Sequence, residues 1–87
     1  MKIRTAIHSG ECPGQWYYGF VQEASGGGFY GSVLGEDGQK RYFNYGYTQF
    51  CPSGEGVAIG DWISYSPFTQ PNPRAGKIAC MSKAPTL

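Results

Sequence analysis

Glycine and proline interrupt this chain too often for it to be built from long helices. Fourteen Gly and six Pro are spread over 87 residues, and both residue types favour turns over helix interiors. Short strands joined by tight turns remain, and a helix bundle is excluded. The length fits one domain. Aromatic residues make up 16% of the chain, so rings must supply much of the buried area, some of them with a hydroxyl that needs a partner. The net charge is +1, which gives no long-range field to attract a polyanion. Any affinity for one must come from the local placement of cations.

No stretch approaches the roughly 20 apolar residues of a membrane helix, and residues 1–10 lack the apolar run of a secretory signal. The expectation is a soluble, cytoplasmic protein with no membrane partner. Cys12, Cys51 and Cys80 are odd in number and widely spaced, unlike the dense, even framework of small secreted domains, so free thiols are expected.

Alternation of apolar and polar residues predicts a strand over 2–8, with Ile3, Thr5 and Ile7 on one side. Further strands are expected over 17–24, 29–34, 41–45, 61–65 and 77–81. Ile63 with Tyr65, and Ile78 with Cys80, are the inward pairs. Residues 47–55 hold Pro52, Ser53 and Gly54 and read as a long connection with room for a helical turn. Residues 66–76 form a proline-rich loop. Asp37-Gly38 between two strand-like segments is a strong hairpin signal, pairing 29–34 with 41–45. Such a set of short strands indicates a small antiparallel barrel or sandwich.

Function is most legible on that hairpin. Tyr30, Tyr42, Phe43, Tyr45 and Tyr47 lie on or beside its strands, next to Lys40 and Arg41. Residues at spacing two share a face, so Tyr30 aligns either with Tyr42 and Asn44 or with Phe43 and Tyr45, and a one-residue slip exchanges the sets. Exposed rings flanked by cations form a sequence-tolerant site for single strands. The competing reading is that the same rings fill the core.

The run Gly28-Phe29-Tyr30-Gly31-Ser32-Val33, continued through Glu36-Asp37-Gly38-Gln39-Lys40-Arg41-Tyr42-Phe43-Asn44-Tyr45, resembles the paired ribonucleoprotein motifs of cold-shock domains. Residues 19–24 fall where that family has its first barrel strand. Residues 59–65 resemble its fourth strand and 72–79 its closing segment, so the likeness spans about 17–83. The resemblance implies a five-stranded barrel of the OB type over 17–87, preceded by an extension over 1–16 that adds a strand. It also implies binding of single-stranded RNA or DNA on the face of the second and third strands. This sequence departs from the family pattern at two stacking positions: the exposed tryptophan of the first strand falls at Glu23, and the second aromatic of the first motif falls at Ser32.

Other constellations carry less. His8 with the three cysteines has no Cys-x-x-Cys to mark a zinc site. Cys51 and His8 have no local signature of a catalytic pair. No helix follows Gly26-Gly27-Gly28 to bind phosphate. Glu36 and Asp37 read as turn residues. Trp62 is expected outward, over a barrel end, extending a contact surface or, as the favoured reading, packed under the proline-rich loop, with Arg74 and Lys77 near that loop. The sequence therefore predicts a non-enzymatic protein without cofactor or metal. Its candidate nucleic-acid contacts are Tyr30, Lys40, Arg41, Tyr42, Phe43, Asn44, Tyr45 and Arg74. The alternative is a protein-binding module or homodimer on the same fold, where aromatic surface and Glu23 serve a protein contact.

Overall fold

The computed structural model describes residues 17–51, 53–69 and 75–83. The expected strand over 2–8, the extension over 1–16, and His8, Cys12 and Arg74 lie outside the described residues. The fold is all-β, with strands β1 (Tyr17–Ser25), β2 (Tyr30–Gly35), β3 (Lys40–Asn44), β4 (Gln49–Cys51), β5 (Trp62–Pro67) and β6 (Ile78–Lys83). They form one sheet in the order β3-β2-β1-β5-β6-β4. Neighbours are antiparallel except β4 and β6, which run parallel. No helix among the described residues is long and apolar enough to cross a membrane.

The sheet curls until its ends approach. Tyr42 of β3 forms a parallel bridge with Lys77, just ahead of β6, and its N–H bonds the Gly76 carbonyl at 3.0 Å. β4 then continues alongside β6, pairing Gln49 with Cys80 and Phe50 with Met81. β3 and β4 thus behave as two halves of one interrupted strand, with residues 45–48 looped out between them. Thr48 pins this loop: its buried hydroxyl donates to the Ile78 carbonyl at 2.7 Å and accepts the Asn44 N–H at 3.1 Å.

Residues 47–55 were expected to connect with room for a helical turn; they carry β4 instead. The rest of the strand pattern follows the alternation closely, and the hairpin forms as expected. Gly35 N–H bonds the Gln39 carbonyl, Glu36, Asp37 and Gly38 make the loop, and Gly38 takes a φ of 81°, which its lack of a side chain permits. The Asp37 carboxylate accepts the Gln39 N–H at 3.0 Å and closes the turn.

The core is built substantially from rings, as the composition requires. Val21, Val33, Phe43, Phe50, Val57, Ile63, Tyr65, Ile78 and Met81 form the buried cluster, with Tyr17, Ala24 and Phe29 packed against it. Phe50 meets the edges of Phe29 and Phe43 at centroid distances of 5.0 and 6.0 Å, a geometry favoured by ring quadrupoles. Inward Ile63 and Tyr65 agree with expectation. On β6 the irregular pairing near Pro67 brings Met81 into the core beside Ile78, while Cys80 clusters separately with Cys51. The Cys51 and Cys80 sulfurs lie 3.7 Å apart.

Candidate functional site

The outer face of β1, β2 and β3 is a grid fixed by register. One row holds Glu23, Ser32 and Tyr42; the row on one side holds Ser25, Tyr30 and Asn44; the row on the other holds Phe20, Leu34 and Lys40. This register resolves the two alternatives left by the sequence. Tyr30 and Tyr42 stand outward at 43% and 48% exposure, whereas Phe43 is 2% exposed. Phe43 therefore belongs to the core and is removed from the candidate contacts. The physical reason is its partner Gly31, which has no side chain, so the Phe43 ring fills the space beneath it; a Cβ at Gly31 would lie 2.8 Å from that ring.

Tyr30, Tyr42 and Asn44 line one shallow depression together with Glu23, Tyr47 and Lys77, with a volume of about 640 Å³. Gly26, at φ 60°, supports the Tyr30 ring, since a Cβ there would lie 2.6 Å from it. Part of the glycine-rich turn is thus the seat of an exposed ring. Asn44 is fixed in part by its own loop, its Oδ1 accepting the Gly46 N–H at 2.7 Å. Lys40 rises at the rim, its ammonium 5.7 Å from the Tyr42 ring centroid, and Lys77 sits 5.8 Å from that of Tyr47.

Two further candidates are placed elsewhere. Arg41 turns away from the face toward the hairpin loop, where its Nη2 donates to Asp37 Oδ2 at 3.0 Å and its Nη1 donates to the Tyr65 hydroxyl at 3.1 Å. Its guanidinium lies 4.8 Å from the Tyr17 ring centroid. Its charge is therefore committed within the fold and is not offered to phosphates. The Arg41 hydrogen bond, followed by the Gln39 N–H, holds the Asp37 carboxyl below its ordinary value. Burial pushes the Tyr65 phenol up even though Arg41 opposes it. Tyr45 lies past the end of β3 and is 61% exposed, but its ring packs on Phe29 at 5.2 Å, away from the Tyr30–Tyr42 grid.

Glu23 reaches the outer face through a β-bulge. The pairing runs Val21 to Val33 and then Glu23 to Ser32, so Gln22 is the extra residue, and bulges re-aim the side chains that follow them. Ser32, buried beneath, donates its hydroxyl to Glu23 Oε1 at 2.7 Å, and Lys40 Nζ approaches the same oxygen at 3.6 Å. The Ser32 hydrogen bond and then the Lys40 charge lower the Glu23 pKa, so the carboxylate is ionised at neutral pH.

Sequence reasoning missed one aromatic residue of this surface. Phe20 is exposed, pairs across to both Leu34 and Trp62, and its ring lies 4.7 Å from that of Trp62. Trp62 stacks on Tyr18 at 5.8 Å; residues 70–74 of the proline-rich loop, under which it was expected to pack, lie outside the described residues. The available signal was the position of Phe20 between Gly19 and Val21, both buried. Among the described residues no group of His, Cys, Asp and Glu could hold a metal ion. Comparison of the chain with family models, curated proteins and solved structures finds no match.

Proposed function

We propose that this chain binds single-stranded nucleic acid on the outer face of β1–β3, as a divergent barrel of the cold-shock, OB type. The observation that carries the reading is the pair of exposed rings, Tyr30 and Tyr42, on adjacent strands lining one depression. Bases stack on such rings whatever their sequence, each stack contributing about 1–3 kcal/mol. Lys40 and Lys77 border the depression and supply charge near a phosphate backbone. The strand arrangement supports the same reading. An antiparallel β1-β2-β3 meander, β5 on the other side of β1, and β6 returning parallel to the β3–β4 line are in keeping with a small β-barrel, and we read them as a five-stranded Greek-key barrel whose third strand is broken. Such barrels bind oligonucleotides on the face of strands two and three.

The test is a fluorescence titration with short oligothymidylate and oligouridylate at low and at moderate salt. Quenching that weakens as salt rises is expected, and Tyr30→Ala with Tyr42→Ala should weaken binding by at least about ten-fold together. Absence of any quenching at low salt refutes the proposal. A second reading, contact with a protein partner or a second copy, is favoured by one observation: the exposed, paired Phe20 and Leu34, continued across β1 by half-buried Trp62. A dimer in light scattering that Phe20→Ser dissolves would support it.

A further inference from the structure

We infer that Glu23 makes this surface select guanine among the bases of a single strand, an inference that rests on the nucleic-acid reading proposed above. A carboxylate on a phosphate-binding face needs an explanation, because its charge repels the backbone it must lie near. Here it is a built feature. The bulge at Gln22 turns it outward, the buried Ser32 hydroxyl fixes Oε1 at 2.7 Å, and Lys40 sits 3.6 Å from that same oxygen. Glu23 shares its row with Tyr42 and lies diagonal to Tyr30, and all three line the same depression. Diagonal neighbours on paired strands are about 7–8 Å apart, the span of a purine. A base stacked on Tyr30 therefore brings its edge to the carboxylate.

The chemistry of base edges then discriminates. An ionised carboxylate only accepts, through about four lone-pair sites on two oxygens, and Ser32 and Lys40 engage Oε1 alone. Guanine offers two adjacent donors, N1–H and the N2 amino group, which match the two oxygens of a carboxylate. Thymine and uracil offer one N–H flanked by two carbonyls. Adenine and cytosine offer an amino group beside a ring nitrogen acceptor. Each of these four brings at least one lone pair against the negative charge. Unstacked bases in single strands are commonly read on this edge.

The experiment compares three oligonucleotides of about ten residues, all thymidylate except for a central thymine, guanine or inosine, titrated against the wild-type chain and Glu23→Gln at low salt. Glu23 is exposed, so the variant retains the fold. For the wild type, guanine should tighten binding about ten-fold over thymine, with inosine, which lacks the N2 amino group, falling between. Glu23→Gln should remove most of that difference while binding the thymine strand as well or better. Equal wild-type affinity for all three strands overturns the inference and leaves the binding proposal standing. So does a Glu23→Gln variant that tightens all three alike, since the carboxylate then only repels backbone. No binding of any strand overturns both.

Discussion

Tyr42 and Phe43 are chain neighbours on opposite faces of β3, so truncating each in turn separates stability from binding. Phe43 is 2% exposed, fills the space opposite Gly31 and meets the Phe50 ring edge-on. Removing a buried phenyl ring costs about 3–5 kcal/mol. A chain of this length has a total stability of about 4–13 kcal/mol at typical values per residue, so Phe43→Ala should lose about a quarter of it or more and unfold at the low end of that range. Phe43→Leu, which keeps most of the volume, should lose on the order of 1 kcal/mol and stay folded. Tyr42 is half exposed and its ring has a cation neighbour in Lys40, a contact of about 0.5–1 kcal/mol at such sites. Tyr42→Ala should therefore lower stability by no more than about 1 kcal/mol, but weaken oligonucleotide binding by about 1–3 kcal/mol. Urea denaturation followed by tryptophan fluorescence gives the first quantity, and a low-salt titration of each folded variant gives the second. The reasoning fails if Tyr42→Ala leaves affinity unchanged while folded Phe43→Leu loses it, for then the faces of β3 are exchanged.

Two further outcomes follow from the same contacts. Thr48→Val keeps the shape of the side chain but leaves the Ile78 carbonyl and the Asn44 N–H without their buried partner, so it should cost about 1–3 kcal/mol in urea denaturation; a change within error would mean the loop between β3 and β4 is not pinned there. Asp37 and Glu23 both have lowered folded pKa values, so the folded state binds fewer protons than the unfolded one as the pH falls through the carboxylate range. Their stabilisation is present above the unfolded values and is lost as pH drops through the folded ones. The denaturation midpoint should decline between about pH 5 and pH 2, and Asp37→Asn should flatten that decline; an unchanged slope in the variant would remove Asp37 as a contributor.

How far the sequence could be read depended on contrast along each strand. The hairpin was legible because Asp37-Gly38 leaves few other backbone choices. β5 was legible on its inward side, since Ile63 and Tyr65 alternate with serines, but nothing in a serine indicates that Ser64 and Ser66 are themselves buried. β3 offered no contrast: Tyr42 and Phe43 are both aromatic, and their faces are decided by a residue on another strand, Gly31. β4 escaped because Gln49-Phe50-Cys51 is short, precedes a proline, and owes its existence to parallel pairing with a strand far along the chain. Local periodicity cannot register that. Arg41 looked like a free surface cation because its acceptors, Asp37 and the hydroxyl of Tyr65, converge only after folding. In β1 the bulge shifts the alternation by one residue, so periodicity alone would turn Glu23 inward; only the resemblance to the family's exposed first-strand position pointed outward.

The closing bridge between Tyr42 and Lys77 bears on how this molecule avoids its own kind. A strand at the border of a sheet offers bare amides that invite another polypeptide to zip on, and β3 would be such a border. With the Tyr42 amide already satisfied by Gly76, an incoming strand finds that rung taken. The ring plane of Tyr42 stays open to a visitor that approaches from above, while lateral growth into fibres is blocked at the same residue.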